Sequence, residues 1–311
     1  MDFLKLKTFD NKEMTVCVWD KVKDPIAGIV INHGMSEHAE RYDEFAKFLN
    51  ENGYVVLAGN HRAHKYNVNG EKTIIAGDNF EETLEDIRIV VEYTNEKYNV
   101  PVVMLGHSYG SFLSQRFIEL NSKMLSGCIL VGTAYMKGNS NPLLVGFVGL
   151  INLLAGKNKP AKLIDKLSFS SYNNGFEDEG DFAWLSRDPN EVQKYRDDEY
   201  CGYVQSNGFY YYFLKGMRKL YKKDAQKISK NFPILITFGG DDPVSKKGKL
   251  AYKLRDFYVD KLGLKKVDIK EYEGGRHEIL HETNKQEVYQ DILAYINSLF
   301  SKKPTKQVEN A

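Results

Sequence analysis

The chain has 311 residues, 42% hydrophobic and 27% charged, enough for one large domain with an insertion or for two modest domains of a globular protein. Forty-three Lys and Arg nearly cancel 42 Asp and Glu, so no net field favours nucleic acid or anionic lipid as a partner. Cys17, Cys128 and Cys201 stand far apart with neither a disulfide framework nor metal-ligand spacing, which fits a reducing compartment.

The first residues, MDFLKLKTFDNKEM, lack the apolar core of a secretory signal, and a cytoplasmic location is expected. Short β-branched runs then predict strands over Phe3–Thr8, Met14–Trp19, Ile26–Asn32, Tyr54–Ala58, Val102–Leu105 and Gly127–Val131. Between them, Arg41–Asn52 and Phe80–Lys97 carry apolar residues at helical spacing, for example Leu84, Ile87 and Val91. Ser111–Leu120 reads as a further helix. Such alternation predicts an α/β fold with a mostly parallel central sheet flanked by helices.

The texture changes after Tyr135. Residues 136–205 hold a glycine-punctuated apolar stretch, Pro142–Ala155, then polar and charged runs. The apolar stretch is too short to span a bilayer. About 70 residues is long for a loop and predicts a lid or helical cap. Strands resume at Pro233–Phe238 and Lys266–Tyr272, and Lys285–Phe300 reads as a terminal helix. The expected division is a core of residues 1–135 and 206–300, a cap of 136–205, and a flexible polar tail of 301–311.

Gly106-His-Ser-Tyr-Gly110 is a G-x-S-x-G pentapeptide between an apolar strand and a helix. A sharp strand-to-helix turn lifts a serine hydroxyl out of the sheet, and flanking glycines give the backbone room. Ser108 is therefore the candidate nucleophile, and it needs a base and an acid that follow it in the chain. A buried strand ends in Gly239-Gly-Asp-Asp-Pro-Val244, offering Asp241 or Asp242 as the acid. A later strand ends in Gly274-Gly-Arg-His277. His277 is preferred to His281 as the base because it directly follows the glycine turn. Acyl transfer also needs two backbone N–H donors for the oxyanion, which nominates Tyr109 and Met35. No carboxylate or cysteine cluster completes a metal site around His33 or His38, so loop-packing roles are expected for both.

His33-Gly-Met-Ser-Glu-His38 followed by Arg41-Tyr42 resembles the H-G-x-x-E-H-x-x-R-Y signature of the monoacylglycerol lipase and lysophospholipase group of α/β-hydrolases, also described as serine aminopeptidase-like hydrolases. The elbow, the acid turn and the histidine turn are similar as well, over roughly residues 25–135 and 230–298, and Phe182-Ala-Trp-Leu-Ser-Arg-Asp188 looks like cap sequence of bacterial members. The resemblance implies an α/β-hydrolase fold with an inserted helical cap and selects Asp242 over Asp241, giving a triad of Ser108, Asp242 and His277. It implies an esterase of small lipid esters, with no metal or organic cofactor. The group's D-x-R-G-H-G after the fourth strand is replaced here by Asn60-His-Arg-Ala-His-Lys65, which lacks the aspartate and two glycines.

Pro142–Ala155 is apolar almost all round, so it must bury itself, wall an acyl pocket or touch a membrane. The aromatics of Gly208–Leu220 could line a pocket or fill the core, with core expected. Two other readings compete: a peptidase using Asp178 and Glu179 to bind a substrate ammonium group, and a non-catalytic ligand-binding scaffold.

Overall fold

Eight strands form one sheet in the computed structural model, which describes residues 1–66, 68–137 and 141–301. They are β1 (Asp2–Lys7), β2 (Glu13–Trp19), β3 (Ala27–Asn32), β4 (Tyr54–Gly59), β5 (Val102–His107), β6 (Gly127–Val131), β7 (Ile234–Gly239) and β8 (Val267–Tyr272). Their order is β1-β2-β4-β3-β5-β6-β7-β8. β2 pairs antiparallel with β1 and β4, and every other pair is parallel. The expected strands are all present with ends shifted by a residue or two. The polar tail expected from residue 301 onward lies, after Ser301, outside the described residues.

Helices α1 (Asp43–Glu51), α2 (Asn79–Tyr98), α3 (Tyr109–Asn121), α4 (Pro142–Ala155), α5 (Lys162–Phe169), α6 (Pro189–Asp197), α7 (Asn207–Met217), α8 (Lys249–Asp256) and α9 (Lys285–Phe300) follow in chain order. The period-two geometry of a strand sends alternate residues to opposite faces, and the central strands are apolar on both. Val102 and Met104 join one buried layer with Leu113 and Phe117 of α3; Val103 and Leu105 join another with Phe45 of α1 and Ile292 of α9. A parallel sheet covered on both faces requires this continuous apolar pattern. α4, α5 and α6 lie between β6 and β7, and α4 packs along α7, which also touches α2.

The altered loop after β4 keeps the shape a glycine would give it. Ala63 is buried with φ +68°, a left-handed conformation that costs an L-residue about 1–2 kcal/mol. Neighbouring contacts hold it there. Asn60 Oδ1 accepts the Ala39 N–H at 3.0 Å. The fully buried Arg62 guanidinium donates to Asp10, Glu82 and Asp86 at 2.6–3.1 Å. None of the described helices is long and apolar enough to cross a membrane.

Candidate active site

Ser108 stands alone between β5 and α3, with φ +50° and ψ −118°, a backbone conformation that costs of order 1–3 kcal/mol. Its N–H is held by the Val131 carbonyl at 3.0 Å. A Cβ on Gly106 would sit 2.3 Å from Ser114 Oγ, and one on Gly110 would sit 2.1 Å from the Asn32 carbonyl. Both glycines of the pentapeptide are thus spacers that let β5, α3 and β3 approach at backbone distance. For the same reason α3 begins at Tyr109, earlier than the expected Ser111: Gly110 lowers helix propensity, but close packing of the first turn decides. Tyr109 is the first residue of that helix, so its N–H has no partner within the helix.

The acid and histidine turns are pressed together in the same way. A Cβ on Gly239 would lie 2.1 Å from the Gly275 carbonyl oxygen, and the Asp241 N–H donates to that oxygen at 2.9 Å. The two aspartates then part. Asp242 is fully buried, its Oδ1 accepting from His277 Nδ1 at 2.9 Å and from the Val244 N–H at 2.8 Å. Asp241 turns outward and pairs with Lys247 at 3.2 Å. His281 does not reach Asp242; its ring packs near Tyr42, and its Nδ1 lies 3.7 Å from Glu191.

The H-G-x-x-E-H-x-x-R-Y residues form a buried ionic network beneath this site. Glu37 accepts from the Gly34 N–H at 2.5 Å, Tyr42 Oη at 3.0 Å, His107 Nδ1 at 3.0 Å and Arg41 at 2.6 Å. Arg41 also grips both oxygens of Glu278, the residue after His277, at 2.7 and 2.6 Å. One guanidinium therefore ties the loop carrying Met35 to the loop carrying His277. Burial alone would raise the Glu37 carboxyl, but Arg41 and then His107 outweigh it and hold it well below the usual range. Burial would likewise lower His107, yet Glu37 raises it.

Sequence reasoning missed a second brace, from the inserted segment. Trp184 stacks near the His277 ring at 5.1 Å, and its carbonyl accepts the His277 N–H. Arg276 donates to the Ala183 carbonyl at 2.8 Å and to Glu179 at 2.6 Å. Glu282 accepts from the Arg276 N–H and from Arg187. The sequence marked Arg276 in the glycine turn and Phe182–Asp188 as cap sequence, but not their meeting, because the partners are about a hundred residues apart.

Three histidines pack behind the Met35 loop. His33 Nε2 accepts the His61 N–H at 3.0 Å, and His64 Nε2 accepts the Ser36 N–H at 3.1 Å. Acceptance requires that both rings be neutral. Burial, with mutual repulsion, pushes His33 far down, His61 to about 3 and His64 to about 4. The unfolded chain takes up these protons below about pH 6.5, whereas the native chain does not, so stability must fall as pH drops from 6.5 toward 4. Each of these histidines therefore weighs against the native state in acid, and His107, shifted oppositely, returns part of the loss. Urea unfolding is expected to show lower stability at pH 5 than at neutral pH, because the buried histidines shifted down outnumber His107.

His33 packs through these contacts, while His38 meets residues that its sequence neighbourhood does not contain. Asp198 and Cys201 from the inserted segment come to its ring, completing a group of metal-competent side chains. They lie 160 or more residues away, beyond any spacing rule.

Ser108, His277, Met35 and Tyr109 all line one cavity of about 570 Å³. Its walls are mainly aromatic and aliphatic, including Phe112, Phe147, Val148, Ile164 and Phe213. The two ambiguous apolar segments divide their faces. α4 turns Leu144, Phe147 and Val148 to the cavity and leaves Leu143 and Leu153 84% and 77% exposed. α7 sends Tyr210, Phe213 and Leu214 to the cavity, while Phe209 and Met217 enter the core. Asp165 also faces the cavity, accepting Tyr210 Oη at 2.7 Å, with burial raising its carboxyl. Asp178 and Glu179, the carboxylates of the peptidase reading, are exposed and line no part of it; Glu179 is engaged by Arg276.

Comparison with known proteins agrees with this architecture. Residues 23–284 match the family model described as serine aminopeptidase, S33. The chain is 30% identical to a monoglyceride lipase homolog of monkeypox virus, covering 92% of this chain and 95% of the relative. It is 26% identical to a monoacylglycerol lipase of Mycolicibacterium smegmatis, covering 90% and 91%. A thermostable carboxyl esterase from Bacillus coagulans, crystallised with glycerol, superposes with a TM-score of 0.84 at 25% identity, covering 96% of this chain and 99% of that one. With the elbow, its two glycine turns and the buried Glu37–Arg41 network, the chain belongs to the serine aminopeptidase S33 family of α/β-hydrolases, in the monoacylglycerol lipase group, and is a serine hydrolase.

Proposed function

We propose that this enzyme hydrolyses small lipid esters, monoacylglycerols or lysophospholipids, through an acyl-enzyme on Ser108. His277 takes the serine proton and returns it to the leaving alcohol, and Asp242 holds the imidazole with Nδ1–H toward itself. The Met35 and Tyr109 N–H groups receive the oxyanion, and water releases the acid. Residues 136–205 act as the cap. The observation that carries this reading is the cavity: Ser108 and His277 open onto about 570 Å³ of largely apolar space, a volume within the range of small-molecule pockets. Each methylene buried there contributes about 0.8 kcal/mol, so acyl length is selected by depth. The uncharged outer face of α4, with Leu163 and Leu167 of α5, supports transient contact of the cap with a lipid surface.

An ester panel varying chain length and head group, run beside aminoacyl amides, tests the proposal. Medium or long acyl glycerol esters are expected to be preferred, and faster turnover of aminoacyl amides would overturn it. The Asp165 carboxyl has only the Tyr210 hydroxyl as a hydrogen-bond partner and no ion pair among the described residues, and it suits a hydroxyl-bearing head group. Asp165→Asn is expected to raise KM for a monoacylglycerol about tenfold, the value of one hydrogen bond to a charged group. The matching ethyl ester should be little affected.

A further inference from the structure

We propose that His38, Asp198 and Cys201 form a binding site for a zinc-class divalent cation, joining the Met35 loop to the inserted segment. The inference stands apart from the ester-hydrolase reading, and no step of hydrolysis uses the ion. Imidazole nitrogen, carboxylate oxygen and thiol sulfur all lie within 4.8 Å of one another. His38 is 3% and Cys201 8% exposed. A tight turn presents two of the ligands together: the Asp198 carbonyl accepts the Cys201 N–H at 2.9 Å, and Asp198 Oδ1 accepts the Tyr200 N–H at 2.8 Å. Asp198 Oδ2 is thereby left facing His38 Nε2 at 2.8 Å.

Carboxylates stand at both ring nitrogens of His38, Asp198 at Nε2 and Glu40 Oε2 3.5 Å from Nδ1, and Nδ1 is buried without a hydrogen bond. A cation on Nε2 would leave the ring proton on Nδ1 facing Glu40, which is how carboxylates support metal-bound histidines. Glu40 also pairs with Lys65.

A nitrogen, oxygen and sulfur donor set suits Zn²⁺ rather than Mg²⁺ or Ca²⁺. Zinc bonds of about 2.0–2.3 Å need the three atoms to draw within roughly 3.5 Å of one another, with water as the fourth ligand. Binding exchanges the Cys201 S–H and the His38–Asp198 hydrogen bond for three metal bonds and releases the thiol proton to solvent. Ser36 already accepts the Gly202 N–H at 3.0 Å and Tyr195 Oη at 3.1 Å, so the ion would fasten a junction beside Met35.

The test is titration of EDTA-treated protein with Zn²⁺ and, separately, with Co²⁺. One equivalent of Zn²⁺ is expected to bind and, at about 100 times its Kd, to raise Tm by about 5 °C. Co²⁺ should give tetrahedral absorption bands with a thiolate charge-transfer band. Cys201→Ser should remove that band and weaken Zn²⁺ binding by about 100-fold or more. Asp198→Asn, at a more exposed position, should also weaken binding and serves if the cysteine variant does not fold. No bound equivalent, a charge-transfer band that survives Cys201→Ser, or affinity unchanged in Asp198→Asn would overturn the site.

Discussion

Replacement of Ser108 by alanine is expected to lower kcat by about 10⁶-fold on the best ester, leaving Tm within a few degrees of the parent. The magnitude follows from serine hydrolases in which loss of the nucleophile removes all covalent catalysis, while the oxyanion donors and binding retain a residual acceleration. Stability should hold because Ser108 makes its structural contact through the backbone N–H to Val131, which alanine keeps. Alanine also tolerates φ +50° no worse than serine. Burst and steady-state kinetics with a chromogenic ester, together with a thermal melt, check both halves. Activity within about tenfold of the parent would mean that another residue attacks the carbonyl.

Arg41→Met is expected to destabilise the fold by about 3–5 kcal/mol, because it leaves the Glu37 and Glu278 carboxylates buried and without their cation. For a chain of this size that is a fall in Tm of about 5–8 °C. Lys47→Met provides the contrast. Its partner Asp43 and the lysine itself are solvent-exposed, so the change should leave stability nearly unchanged. Arg41→Met should also depress kcat, since Glu37 anchors the Gly34 N–H next to Met35 and Glu278 adjoins His277. Thermal melts of both variants test the claim, and an Arg41→Met protein as stable as Lys47→Met would remove the network from the account.

The parts of this molecule legible in the sequence are those set by local backbone requirements. Gly106, Gly110, Gly239 and Gly275 mark places where two backbones meet at distances that allow no clashing Cβ, and the residues proposed for catalysis sit beside them. The continuous apolar strands revealed a sheet covered on both sides because period-two faces must both be buried. What stayed hidden depended on distant partners. A helix that is apolar all round, such as α4, has no phase in its pattern, so nothing in Pro142–Ala155 says which leucines meet the cavity. The bracing of His277 by Trp184 and of Arg276 by Glu179, and the meeting of His38 with Asp198 and Cys201, join segments about a hundred residues or more apart. Ala63 shows the converse: a missing glycine suggested a changed loop, but surrounding hydrogen bonds impose the left-handed conformation on an alanine.

Labelling of the native enzyme with a fluorophosphonate, followed by mass-spectrometric mapping of the adduct, probes the active-site assignment without relying on any variant. The account predicts a single phosphonylated peptide carrying the modification at residue 108, formed in step with loss of esterase activity. Inactivation with the adduct on another side chain, or an esterase that remains active and unmodified under excess reagent, would contradict it.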